Sequence, residues 1–174
     1  MQNVLLVVDM QKDFVDGALG TPEAVAIVPY LTELVRGWQG PVLFTQDTHQ
    51  RDYLETQEGR HLPVPHCIEG SDGWQLIPEL ADLCQTEPIR KAAFGAKDLP
   101  CRLQELATRE PIGSVTLVGL CTDICVISNA MLLKAFFPEL PLRVDALACA
   151  GVTPASHQNA LRAMQSCQIE ILHG

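Results

Sequence analysis

Ser114-Val-Thr-Leu-Val-Gly-Leu-Cys-Thr-Asp-Ile-Cys-Val126 starts as a short run rich in Val and Leu and turns, after Gly119, into residues that open a helical pattern. Ser114–Val118, with β-branched Val115, Thr116 and Val118 around Leu117, reads as a buried strand. Thr122–Ala135 continues with helical periodicity, and Thr122 is a natural N-cap. A buried strand feeding a helix through a short turn is the repeating unit of an α/β sheet. Cys125 then falls in the first helical turn.

The same alternation extends in both directions. Upstream, Val4–Val8 is a continuous aliphatic run, as expected of a central parallel strand covered on both faces, and Thr21-Pro22 opens a helix to about Trp38, with Pro at a first-turn position and apolar Val25, Val28, Leu31, Leu34 and Val35. Pro41–Thr45 reads as a strand, Leu76–Leu83 as a short helix, Glu87–Arg90 as a short strand and Leu99–Thr108 as a helix. Downstream, Leu142–Ala146, Pro154–Met164 and Ile169–Leu172 close with strand, helix and strand. The expectation is one domain over residues 1–174, a three-layer α/β/α fold around a mostly parallel six-stranded sheet with right-handed crossovers.

Composition narrows the function classes. Apolar residues make up 47% of the 174, and the formal charge is −9 with 12 basic residues scattered along the chain. That pattern offers no basic surface for nucleic acid or anionic lipid. The N-terminal apolar run reaches Asp9 too soon for a signal peptide or a membrane span, so the expected location is the cytoplasm. Seven cysteines, with no CxxC pair, argue against both a disulfide framework and a thiolate zinc site.

In a doubly wound sheet the ligand crevice lies beyond the carboxyl ends of the strands. Asp9, Asp47, Lys91 and the Cys121–Cys125 turn each fall at or just after a strand end. Cys125 has two competing readings, helix packing and nucleophile. At a helix N-terminus the dipole and free N–H groups favour a thiolate, and a fall in pKa from about 8.5 to about 6.5 would turn a thiol mostly ionised at neutral pH. Backbone N–H groups of Cys121 and Cys125 would be available to an oxyanion. Asp9, placed directly after aliphatic residues, is costly unless paired or functional. Lys91 is its natural cation, near enough in such a fold to serve Cys125 as well.

Gln46–Trp74 is a long polar segment rich in Gly, Pro and His, and long irregular segments in compact domains are usually functional. Asp47-Thr-His49 points two side chains to one face if extended, and His66 can complete a three-ligand open metal site, with Glu58 as a fourth ligand. Such a set suits one divalent ion, zinc first and iron or manganese as alternatives. His61 is the neighbouring histidine that the spacing cannot separate from the set. The competing reading is a polar loop whose histidines are unrelated.

Asp-Met-Gln-Lys-Asp-Phe (9–14), Lys91 with Phe94, Gly-Leu-Cys-Thr-Asp-Ile-Cys-Val (119–126) and Gly-Val-Thr-Pro-Ala-Ser-His (151–157) together resemble the isochorismatase-like cysteine hydrolases. The resemblance covers nearly the whole chain. It implies that Asp9 is a proton shuttle, Lys91 a stabilising cation and Cys125 a nucleophile, and that the Leu120–Cys121 peptide bond is cis. Asp47, His49 and the lead into His66-Cys67 resemble the nicotinamidase branch, where such residues bind a divalent metal, some members adding an acid at the position of Glu58. The lysine segment reads Lys91-Ala-Ala-Phe-Gly-Ala where that family more commonly has Lys-x-x-Tyr/Phe-Ser-Ala-Phe. The implied reaction is hydrolysis of a small-molecule amide, nicotinamide first, with Phe14 and Phe94 as apolar pocket walls. Alternatives are a carbamoyl or ureido substrate, or a catalytically silent metal- or small-molecule-binding module. A homo-oligomer is expected, without membrane or nucleic-acid partners.

Overall fold

The computed structural model describes all 174 residues. Six strands, β1 (Gln2–Val8), β2 (Val42–Asp47), β3 (Ile89–Lys91), β4 (Ile112–Leu120), β5 (Leu142–Ala150) and β6 (Glu170–Leu172), form one sheet. Their spatial order is β3-β2-β1-β4-β5-β6 and every neighbouring pair is parallel. The chain winds outward from β1 to β3, then returns to lay β4 against the other side of β1. That reversal opens the crevice between the ends of β1 and β4.

The helices are α1 (Lys12–Val15), α2 (Pro22–Gly37), α3 (Gln57–His61), α4 (Pro78–Ala81), α5 (Leu99–Ala107), α6 (Ile127–Phe136) and α7 (Pro154–Ser166). No helix is long and apolar enough to cross a membrane. β1 shows why two helix layers form. Val4, Leu6 and Val8 join the core shared with Leu103, Leu133 and Met164, while Leu5 and Val7 join the core shared with Leu31 and Val35 of α2. All five β1 side chains are fully buried, so each contributes on the order of 1.5–3 kcal/mol of hydrophobic burial. Alternation within one strand therefore pins both layers to it.

The strands run longer than the apolar runs alone suggest. β4 spans nine residues and β5 continues past Ala146 to Ala150, with an irregularity where Leu117 pairs Val144 but Gly119 pairs Cys149. Gly119 has φ +110, and a Cβ there would meet the Val8 carbonyl at 2.2 Å, so glycine is required where β4 crowds β1. Leu76–Leu83 yields only the four residues of α4, and Lys91 closes β3 instead of following it. The expected Thr122–Ala135 helix divides into a π-helical turn, Thr122–Val126, followed by α6.

Candidate active site

The sheet brings Asp9, Lys91 and Cys125 together at its carboxyl edge. Asp9 directly follows β1 at φ 48, a left-handed conformation that aspartate tolerates better than most residues. Its carboxylate is fully buried, and Thr45 of β2 donates to Oδ1 at 2.6 Å. The register that pairs Asp47 with Lys91 puts the lysine side chain beside both aspartates. Lys91 Nζ lies 2.7 Å from Asp9 Oδ2 and 2.8 Å from Asp47 Oδ1. It also donates to the Ala93 carbonyl at 3.1 Å and to Cys125 Sγ at 3.3 Å.

An ammonium has three protons, and the directed bonds run to Asp47, Ala93 and Cys125. Asp9 Oδ2 is in ionic contact with Lys91 yet receives no directed hydrogen bond, which leaves a buried acceptor beside the thiol. Burial pushes the Asp9 carboxyl above its usual range despite the Lys91 charge. Burial works against the Lys91 ammonium, but the surrounding negative groups, Asp9 foremost, push it well above the usual lysine value. The resting cluster sets a carboxyl more basic than usual beside a buried ammonium.

Cys125 departs from expectation in its electrostatics. Burial, followed by the charge of Asp9, pushes its thiol well above the usual cysteine value, with Lys91 pulling back only in part. The expected thiolate assumed an exposed helix N-terminus with a Thr122 cap. Instead Cys121 occupies the cap position, Thr122 is fully buried, and its Oγ1 pairs with His157 Nδ1 at 2.8 Å. Ile124 and Val126 N–H groups close the turn on the Cys121 carbonyl. The Leu120–Cys121 peptide bond is cis. Cys121 and Cys125 line one cavity, and burial pushes the Cys121 thiol up to about 12.

Asp47, His49, Glu58 and His66 converge so that one donor atom from each lies within 4.8 Å of the others. His49 Nε2 is 2.8 Å from Asp47 Oδ2, and His66 Nε2 is 3.7 Å from it. Glu58 Oε1 stands 3.7 Å from His49 and 3.9 Å from His66. His66 Nδ1 lies 2.8 Å from the Val64 carbonyl, a contact that orients the ring with Nε2 facing the cluster. His49 Nε2 is buried and faces the carboxylate oxygens of both Asp47 and Glu58. Two buried imidazoles converging on two carboxylates fit a divalent cation, and the two-nitrogen, two-oxygen donor set suits zinc, iron or manganese. Burial opposes ionisation of Asp47, but its bonds to His49 and His66 and the Lys91 charge hold it well below the carboxylate range. His61 stays outside, exposed and bonded to the Gln57 carbonyl.

A cavity of about 240 Å³ connects the two groups. Asp47, Glu58, His66 and Cys125 open onto it, and Phe14 and Phe94 are among its apolar walls. A wider groove beyond Glu58, Leu62 and Phe94 leads outward past His61. Several positioning contacts escaped sequence reasoning. The Gln11 side chain is buried and brackets the Asp47 backbone, accepting from its N–H at 2.7 Å and donating to its carbonyl at 2.9 Å. Asp13 accepts from the Cys67 N–H at 2.7 Å and so ties the His66 loop to α1. Tyr53 packs on both His49 and His66 and donates to the Leu62 carbonyl. The Asp9–Phe14 stretch carried a usable signal for Gln11 and Asp13, since polar residues there follow a buried strand. Tyr53 carried none.

Comparison with known proteins identifies the family and the fold. The Isochorismatase domain family matches residues 3–173. The chain is 34% identical to the uncharacterized isochorismatase family protein PncA of Bacillus subtilis (strain 168) over 148 residues, 75% of this chain and 78% of that one. The crystal structure of a pyrazinamidase of Pyrococcus horikoshii in complex with zinc superposes with a TM-score of 0.84 at 26% identity, covering 100% of both chains. That of nicotinamidase PncA from Bacillus subtilis gives 0.84 at 27% identity, covering 99% of this chain and 100% of that chain.

Proposed function

The chain belongs to the isochorismatase family, and from that premise we propose that it is a cysteine amidohydrolase converting a small ring carboxamide, nicotinamide first, to the acid and ammonia. The observation that carries the reading is the shared cavity, which joins Cys125 to the Asp47–Glu58–His66 side of the cluster. A nucleophile and a cation site around one small apolar chamber suit a flat ring bearing both an amide and a ring nitrogen. The nicotinamidase and pyrazinamidase relatives point the same way.

The chemistry follows from the atoms at hand. Asp9 Oδ2 takes the Cys125 thiol proton as Sγ attacks the amide carbon, a route that suits a thiol kept protonated until substrate arrives. Backbone N–H groups of Cys121 and Cys125 receive the oxyanion. Asp9 returns the proton to the amide nitrogen, the C–N bond breaks, and ammonia leaves a thioester on Cys125. Water then attacks the thioester carbon while Asp9 accepts its proton, and that proton passes to Sγ as the C–S bond breaks. Lys91 stays charged throughout and offsets the negative charge passing between Asp9 and Cys125. A divalent cation held by Asp47, His49, Glu58 and His66, zinc by preference, would supply a Lewis-acidic contact for the ring nitrogen.

We take all 174 residues to act as one hydrolase domain. The seven free cysteines support a reducing, cytoplasmic setting, and exposed Phe136, Leu147 and Val152 support self-association, which sedimentation tests. The deciding experiment is ammonia release by the purified protein from nicotinamide, pyrazinamide and a panel of N-carbamoyl compounds, with mass spectrometry of the acyl-enzyme. Turnover of the ring amides with an acyl adduct on Cys125 is expected. Activity confined to the carbamoyl compounds would overturn the substrate assignment, and full activity of Cys125→Ala would overturn the mechanism.

A further inference from the structure

Asn129 is the third residue of α6 and is fully buried, among neighbours such as Ala130 and Leu133 that are plain core. Asparagine is a poor helix former, and a buried amide is costly unless its hydrogen bonds are made. Here both N–H groups and the oxygen are bonded, and they reach three backbone groups. Nδ2 donates to the Cys125 carbonyl at 2.8 Å and to the Phe94 carbonyl at 3.3 Å, and Oδ1 accepts from the Ala96 N–H at 2.8 Å. One side chain thus staples the nucleophile's turn to the segment that follows β3.

That segment matters twice to the site. Its Ala93 carbonyl accepts from Lys91 Nζ, and its Phe94 ring lines the cavity. Gly95, between the two Asn129 contacts, lies against α6, where a Cβ would meet Ser128 and Leu132 at ordinary van der Waals distance but could make no directed bond. The amide of Asn129 supplies the directed hydrogen bonds between the two elements. We infer that Asn129 is a positioning residue for the reaction: by holding the Lys91–Ala96 segment against the Cys125 turn, it sets both the ammonium–sulfur contact and the Phe94 wall.

The inference rests on the cysteine-hydrolase reading, so the test includes one readout that needs no substrate. Asn129→Ser is the informative variant, because serine in a helix still bonds the carbonyl four residues back but cannot reach Phe94 or Ala96. Three quantities are measured: the thermal transition, the rate of Cys125 alkylation by iodoacetamide at one fixed pH, and kcat and KM on the best amide of the panel. The expected result is a cooperatively folded variant with Cys125 alkylation slowed about tenfold, kcat down about tenfold or more, and KM raised. Phe94→Ala should raise KM in the parent but change it by less than about twofold in the Asn129→Ser background, because the wall is already displaced. If Asn129→Ser fails to fold, Asn129→Asp, which keeps the shape and the acceptor for Ala96, must show the same losses. Alkylation and turnover within about twofold of the parent, or KM effects of Asn129→Ser and Phe94→Ala that simply add, overturn the inference. Should the parent hydrolyse no amide at all, the proposed function fails while the alkylation rates still decide the role of Asn129.

Discussion

Lys91 holds its Nζ 2.8 Å from Oδ1 of Asp47, the carboxylate whose other oxygen faces His49 and His66. A single buried ammonium is therefore shared between the metal-type cluster and the Asp9–Cys125 pair. It is also the one cation between two buried carboxylates, with side chains of Lys91, Asp9 and Asp47 only 1%, 0% and 5% exposed. Removing it leaves Asp9 without a cation and takes from Asp47 the partner on its Oδ1. Lys91→Met should lower the unfolding free energy by about 3–5 kcal/mol and abolish turnover. Urea unfolding at neutral pH checks this, and a loss below about 1 kcal/mol would show that the ammonium does not hold the two carboxylates.

Asp9 predicts the opposite trade. Burial raises its folded pKa above the unfolded value of about 3.9. A group raised in this way contributes stability that is fully present below the unfolded pKa and is lost as pH rises through the folded pKa. The ionised carboxylate is thus a net cost to the fold, while Lys91 keeps Asp47 as a partner when Asp9 is neutralised. Asp9→Asn should lose activity yet match or exceed the parent's Tm at pH 7. Its advantage should shrink as pH falls towards about 4, where the parent's Asp9 is protonated too. Calorimetry across that range decides, and a variant clearly less stable than the parent at pH 7 would count against a strained carboxylate.

The sequence disclosed the sheet because β1 is an uninterrupted apolar run and β4 keeps Val and Leu around Ser114 and Thr116. It pointed to Asp9, Asp47 and Lys91 because each sits at or just after the end of a strand. What it concealed is of two kinds. Boundaries at β5 and at the Thr122–Val126 turn depend on cross-strand pairing and on the His157 contact, which lie far away in the chain. The protonation of Cys125 depends on how deeply the turn is covered, and a helix-terminus argument at residue 125 supposes exposure that the fold does not grant. Asn129 reads as an ordinary polar helix residue until the segment after Lys91 is brought against it.

Tyr53 supplies a test of how the cluster is held. Its ring centroid lies 4.7 Å from that of His49 and 5.0 Å from that of His66, and its hydroxyl, pushed up to about 12 by burial and by the charges of Glu58 and Asp47, donates to Leu62 at 2.9 Å. Tyr53→Phe removes only the hydrogen bond and should cost about 0.5–1.5 kcal/mol, leaving activity largely intact. Tyr53→Ala removes the packing and should cost about 3–5 kcal/mol while loosening both imidazoles. Denaturant unfolding of the two variants separates the effects, and equal losses would deny the ring its packing role.

The cluster itself predicts one divalent ion per chain, measurable by elemental analysis of purified protein. His49→Ala and His66→Ala each remove a nitrogen donor and should weaken binding by at least about tenfold to a hundredfold. His61→Ala is the matched control, since His61 points to the Gln57 carbonyl and should leave affinity unchanged. The two acids should differ. Glu58 is partly exposed on the short helix α3 and can be lost with damage confined to the ion, so Glu58→Gln should be rescued by a higher metal concentration. Asp47 also accepts from Lys91, so Asp47→Asn disturbs the ammonium beside Cys125 and should resist rescue at any metal concentration. Binding shifts stability by mass action, about 2.7 kcal/mol when free metal is a hundred times Kd, so titrating zinc, iron or manganese into chelator-treated protein reads out affinity as a rise in Tm. If none of the three raises the Tm of the parent protein, the four side chains are not a metal site, and the assignment of their role in orienting a ring nitrogen falls with it.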